Sequence, residues 1–305
     1  MAPDRGLRVP PPVPYYRETG AGPAVVCLHA SASNSRQWQP LADALAPRFR
    51  VMAADSYGSG QSPAWKAKRP MTLRDEVALL EPVFARAGGP VTLVAHSFGA
   101  AVALIAALER PELVHALALY EPTLFSLVNA ESPPPNDVDG FRAAFASAAA
   151  LFDAGDPAGA GRCFVDYWAG EGAWAQMPEP RQGQVAVSMA NLRGWYGACM
   201  AELTPLRAFS WLGAPVLLMT GRKSPPSSRA VARLLARALP RVEVMEFDDL
   251  GHMGPVTHPE AVNKVIERFL ERHRPFHHAD LLRIGANLGR ADSREASDDA
   301  AQARG

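Results

Sequence analysis

The chain has 305 residues, 48% hydrophobic and 20% charged, and its 31 Lys and Arg balance 31 Asp and Glu to a formal net charge of zero. This is the composition of one large α/β domain with an insertion, or of two modest domains. No basic stripe speaks for nucleic acid or an anionic membrane, no apolar run is long enough to span a bilayer, and Cys27, Cys163 and Cys199 have neither disulfide-framework nor zinc spacing, which fits a reducing cytoplasm.

Residues 1–12 are Pro-rich and read as an extended N-terminal arm, without the apolar stretch of a secretory signal. Val13–Glu18 reads as a strand, turning at Thr19-Gly20-Ala21-Gly22-Pro23. Ala24–His29 is a continuous apolar run up to its last residue, the mark of a central strand buried on both faces. In Gln37–Ala46 the side chains of Trp38, Leu41, Ala42 and Leu45 share one helical face. Arg50–Ala54 is the next strand, ending at Asp55. Met71–Ala87 has the spacing of an amphipathic helix, with Thr72 placed to cap its start. Val91–His96 is a strand, Phe98–Glu109 a helix and Val114–Tyr120 a strand.

Regular alternation then stops. Leu124–Leu212 carries Ser-Pro-Pro-Pro-Asn-Asp at 132–137, followed by Ala-rich and aromatic-rich helical stretches. It resumes with a strand at Pro215–Thr220, a helix at Ser228–Leu239, a strand at Val242–Phe247 and a helix at Pro259–Arg272. Repeated β-α units predict an α/β fold with a mostly parallel central sheet flanked by helices. The predicted plan is the arm (1–12), a first core part (13–123), a helical cap (124–212), a second core part (213–272) and a polar, partly disordered tail (273–305) with room for a short helix near Asp280–Leu288.

The most informative motif is Val94-Ala95-His96-Ser97-Phe98-Gly99, at the abrupt join of an apolar strand and an Ala-rich helix. It reads as a nucleophile elbow, a turn so tight that the serine takes a strained backbone and projects its hydroxyl over the carboxyl end of the sheet. Ala95 stands where the pattern prefers glycine. The bland alternative for Ser97 is a helix N-cap.

Four segments in order carry a family resemblance: Leu28-His29-Ala30-Ser31, the elbow at Ser97, the insertion, and the late loop Leu250-Gly251-His252-Met253-Gly254-Pro255. Over about Val13 to Arg272 the chain resembles the α/β-hydrolase superfamily, as a capped member with a serine nucleophile. The resemblance implies the α/β-hydrolase fold, serine esterase activity and no cofactor or metal. It makes Ser97 the nucleophile and His252 the general base and acid, a task that suits imidazole because its ordinary pKa lies near physiological pH. The remaining histidines are poorly placed, and the elbow turns His96 away from Ser97.

The third member of the triad is less plain. In the superfamily an aspartate usually follows the strand that here is Pro215–Thr220, where this chain has Ser224. Some members carry the acid one strand earlier, which points to Glu121 at the end of Val114–Tyr120. Asp248 and Asp249, close to His252, compete, and a triad without a carboxylate stays open. The expected oxyanion donors are the N–H groups of Phe98 and Ser31, with Ala30 where the family has glycine and His29 bracing the loop. Asp55–Ser62 resembles the family's Asp-x-x-Gly-x-Gly-x-Ser loop and is assigned scaffolding.

The insertion is rich in Phe, Tyr and Trp, while its cations are few: Arg142, Arg162, Arg181, Arg193 and Arg207. A small, largely apolar acyl substrate is expected. Alternatives are carbon–carbon bond hydrolysis or cofactor-free perhydrolysis with the same triad, and a ligand-binding relative without turnover. The expected partner is a small-molecule substrate, with no nucleic acid or membrane, and the chain a monomer or homodimer.

Overall fold

The computed structural model describes residues 12–275. The arm expected over residues 1–12 (its last residue apart), and the tail past Pro275 with the helix near Asp280–Leu288, lie outside the described residues. Of the described residues, those from 12 to His273 pack as one unit.

Seven strands form its sheet: β1 (Tyr16–Thr19), β2 (Ala24–Leu28), β3 (Arg50–Ala54), β4 (Val91–His96), β5 (Val114–Tyr120), β6 (Val216–Gly221) and β7 (Val242–Phe247). Their order is β1-β3-β2-β4-β5-β6-β7. Only the β1–β3 pair is antiparallel. The strands β2 and β4 are buried throughout because helices cover both faces. Side-chain alternation divides β2 between two apolar clusters: Val26 and Leu28 pack on one face, Val25 and Cys27 on the other.

The face of Val25 and Cys27 is covered by α1 (Gln39–Leu45) and α13 (Pro259–Arg272), through Leu41, Leu45, Ile266 and Phe269. The other is covered by α2 (Leu73–Leu79), α3 (Glu81–Ala87), α4 (Phe98–Glu109) and α11 (Pro226–Ala238). Every residue of α4 from Phe98 to Ala107 is buried, as an all-apolar helix requires.

The strand expected over Val13–Glu18 forms over Tyr16–Thr19, and two expected helices are divided. The helix predicted over Met71–Ala87 is two helices joined at Leu80, because Pro82 near the start of α3 offers no N–H and its ring crowds the carbonyl one turn back. Thr72 does cap α2, in a reciprocal box with Asp75. The helix predicted from Gln37 starts as a 3-10 turn, Ser35–Trp38, before α1.

Between β5 and β6 the cap contributes α5 (Phe125–Glu131), α6 (Asp139–Asp153), α7 (Pro157–Ala169), α8 (Ala173–Gln176), α9 (Glu179–Ser188) and α10 (Leu192–Met200). The short α12 (Gly254–Thr257) follows the loop after β7. Among the described residues no helix is long and apolar enough to cross a membrane.

Candidate active site

At the junction of β4 and α4, Ser97 has φ +57° and ψ −115°, a conformation that costs a side-chain-bearing residue on the order of 1–3 kcal/mol. Neighbouring bonds hold it there. Its N–H donates to the Tyr120 carbonyl at 2.9 Å, and its own carbonyl accepts from Ala100 and Ala101. Gly99 is required by close packing: a Cβ there would lie 2.6 Å from the His29 carbonyl oxygen and 2.7 Å from the Leu28 backbone. Ala95, in the slot that prefers glycine, buries its methyl group completely.

From the loop after β7, His252 places Nε2 2.9 Å from Ser97 Oγ and Nδ1 2.6 Å from Glu121 Oε2. The carboxylate can only accept, so Nδ1 carries the proton and Nε2 is left to accept from the serine hydroxyl. Ser228 Oγ lies 3.2 Å from the same Nδ1. Ser97, His252 and Glu121 are 4%, 1% and 0% exposed, so the whole line is shielded from water. Trp168, from α7 of the cap, stacks on the imidazole with ring centroids 4.1 Å apart.

Glu121 follows β5 with φ +46°, a second strained residue in the same line. Its Oε1 accepts from Thr220 Oγ1 at 2.9 Å and from the Gly221 N–H at 2.7 Å. Burial raises its pKa, but the bond from His252, the imidazole's charge and the donors around it prevail, holding the carboxyl below its ordinary value. The end of β6, where the aspartate of the resemblance was expected, thus supplies donors to a carboxylate on β5. The buried Ser224 hydroxyl is near enough to help lower that pKa but makes no well-formed hydrogen bond. Asp248 and Asp249 do not join the line: they are exposed and pair with Arg222 and Lys223.

The strand-end loop after β2 is braced as expected of His29, whose Nδ1 lies 2.7 Å from the Ala30 carbonyl and whose Nε2 accepts from the Ser56 N–H. The Ala30 N–H is taken by Gln37 Oε1 at 3.1 Å, while Ser31 lines the cavity beside Ser97. The strained residue of this loop is Ala32, with φ +54°, two positions beyond the glycine slot at Ala30. In the loop after β3, Asp55 accepts from the Ser35 and Gln61 N–H groups, a scaffolding use.

Several contacts have no signature in the sequence. Tyr120 Oη donates to the Gly251 carbonyl at 2.8 Å, and His96 Nε2 lies 2.8 Å from the His252 carbonyl. A carbonyl only accepts, so His96 is protonated on Nε2 and its Nδ1 accepts from Gln37 Nε2 at 3.1 Å. Burial and the nearby His252 push the His96 pKa well down, keeping it neutral. The chain Ala30–Gln37–His96–His252 therefore ties the β2 loop to the β7 loop. Both His96 nitrogens are engaged by groups other than Ser97, and the ring holds the backbone of His252.

Two hollows meet at Ser31, Ser97, Phe164 and Trp168. A recess of about 20 Å³ lies among Phe125, Phe141, Phe145, Trp195 and Tyr196. A cavity of about 450 Å³ runs outward past His252, Met177, Arg181 and Val185. Among the described residues no group of three His, Cys, Asp or Glu side chains is placed to hold a metal ion.

The model of the α/β hydrolase fold family matches residues 23–259. The chain belongs to that family. Lipase LipV of Mycobacterium tuberculosis is 32% identical over 264 residues, covering 81% of this chain and 93% of its own. The (E)-2-((N-methylformamido)methylene)succinate hydrolase of Acinetobacter baylyi is 23% identical, covering 84% of this chain and 94% of its own. A solved α/β hydrolase from Sphaerobacter thermophilus superposes with a TM-score of 0.64 at 26% identity, over 84% of this chain and 96% of its own. Family membership and the buried Ser–His–Glu line make this α/β hydrolase a serine hydrolase of ester or related acyl bonds.

Proposed function

We propose that Ser97 is the nucleophile, His252 the general base and then acid, and Glu121 the carboxylate that orients His252 and stabilises its charged form. What supports this reading is one observation: the unbroken, water-shielded series from Ser97 Oγ through His252 to Glu121, at 2.9 and 2.6 Å. Ser97 attacks the ester carbonyl while its proton passes to His252 Nε2. The tetrahedral oxyanion rests on the N–H groups of Phe98, at the start of α4, and of Ser31. The intermediate collapses with His252 protonating the leaving alcohol, and water activated by the same imidazole releases the acid. The stacked Trp168 ring holds the plane of the imidazole.

The aromatic recess and apolar cavity walls suit a small, largely apolar substrate. We assign the core to residues 13–123 and 213–272 and the cap to 124–212. In our reading the enzyme works in the cytoplasm as a monomer or homodimer on a free small molecule, without cofactor, nucleic acid or membrane. A fluorophosphonate probe tests the central claim. The native protein is expected to be labelled and to hydrolyse a short-chain nitrophenyl ester, and Ser97→Ala to do neither. An unlabelled native protein would leave only a ligand-binding relative of the family.

A further inference from the structure

Of the five cationic residues in the cap, Arg181 alone lines the cavity that contains Ser97 and His252. Arg142 and Arg193 pair with Asp139 and Asp153, while Arg162 and Arg207 are exposed. Arg181 is half-buried and, among the described residues, has no carboxylate within ion-pair distance. Its bonds go to two neutral oxygens, the Ala32 carbonyl at 2.8 Å and Gln184 Oε1 at 3.3 Å. A guanidinium has five N–H donors in a rigid fork, so donors remain for a ligand.

The position is unfavourable on other grounds. Arg181 is the third residue of α9, and the partial positive charge of a helix N-terminus disfavours a cation. Burial also pushes its pKa down, which reports a charge held partly out of water without an opposite charge to offset the cost. Arg181 lines a second, outer groove of about 840 Å³ as well, so it stands where the site cavity meets that groove. Around it the cavity is walled by apolar groups such as Val165, Met177, Val185 and Val256.

The geometry points to Arg181 as a substrate-anion subsite: the molecule hydrolysed at Ser97 has an apolar body and one carboxylate, which the guanidinium takes at the cavity mouth. The recess of about 20 Å³ leaves space for only a very small group on the other side of Ser97. The larger, carboxylate-bearing part therefore occupies the cavity of about 450 Å³. Within the cavity Arg181 is the single guanidinium, which suits one carboxylate there; Arg17 and Arg36 line only the outer groove. This inference rests on the hydrolase reading for the word substrate, but the anion subsite itself does not.

Binding of hexanoate and of its neutral isostere hexanamide, followed by tryptophan fluorescence, tests it without turnover, because Trp168 forms part of the cavity wall. Hexanoate is expected to bind roughly ten- to a hundredfold more tightly, the range of a charge-assisted bond. Arg181→Gln, which keeps an N–H donor for Ala32, is expected to abolish that preference, and Arg181→Lys to retain part of it. With esters, the ratio of kcat/KM for a carboxylate-bearing over a neutral substrate is expected to fall by a similar factor in Arg181→Gln. Equal binding of the two probes, no hexanoate binding at millimolar concentration, or a preference unaltered in Arg181→Gln overturns the subsite. The two claims separate: a labelled Ser97 without carboxylate preference removes only the subsite, and carboxylate preference without labelling removes only the hydrolase reading.

Discussion

In the proposed triad, Glu121 takes the place that the family resemblance gives to a residue after another strand. Its carboxylate reaches His252 from β5 at the cost of a left-handed backbone, and β6 repays that strain with the Thr220 hydroxyl and the Gly221 N–H. Glu121→Gln keeps the shape but removes the charge and lets the imidazole adopt the wrong tautomer. Turnover of an active ester should fall by about 10⁴-fold, the loss known for an amide in place of a triad acid. Adding Ser224→Asp to that variant should return at least a tenfold gain in kcat, because Ser224 already lies beside the carboxylate. A double variant no faster than Glu121→Gln would show that β6 cannot present an acid to His252.

Elements rather than single residues set the angle of the base. The loop after β7 is pinned at successive carbonyls, Gly251 by Tyr120 of β5 and His252 by His96 of β4. Through Gln37 the same histidine is tied to the loop after β2. His96 is a positioning residue in this account. His96→Phe should lower kcat by about ten- to a hundredfold with little change in KM, since small misplacements of a catalytic group carry costs of that size. His96→Gln, which keeps a donor for the His252 carbonyl, should recover part of the loss. Equal loss in both variants, or a change confined to KM, would remove the positioning role. The elements themselves were largely legible: β3, β4, α4, β5, β7 and α13 fall where apolar runs and periodicity put them. The break between α2 and α3 was written in Pro82 but masked by an apolar spacing that continues through it.

Across the molecule, two buried carboxyls pull stability in opposite directions with pH. Glu121 is held below its ordinary value, so it contributes stability above that value and loses it as pH falls through the depressed pKa. Glu76 is the reverse case. Buried on α2 with both oxygens 3.2 Å from the Tyr57 N–H, it is pushed up from 4.5 to about 8 by desolvation. Between those values the unfolded chain is ionised and the folded one protonated, so stability falls as pH rises, by at most about 1.4 kcal/mol per pH unit. Glu76→Gln should flatten this decline: its melting temperature should match the native protein near pH 5 and exceed it at pH 8. Parallel melting curves across that range would mean that Glu76 ionises normally.

The sequence by itself determined the α/β order, the cap insertion and the roles to be filled. Strand burial, helical periodicity and a strand–helix turn around a serine are local signals, written within a few residues of where they act. Only the tertiary structure decided which carboxylate meets His252, since Glu121, Asp248 and Asp249 are alike in chemistry and differ in what lies across the sheet from them. It likewise decided that the strained residue of the β2 loop is Ala32, that Trp168 stacks on His252, and that Arg181 alone of the cap's cations lines the cavity holding Ser97. These contacts join residues dozens to more than a hundred positions apart, and no local pattern records them because their partners are set by how layers pack.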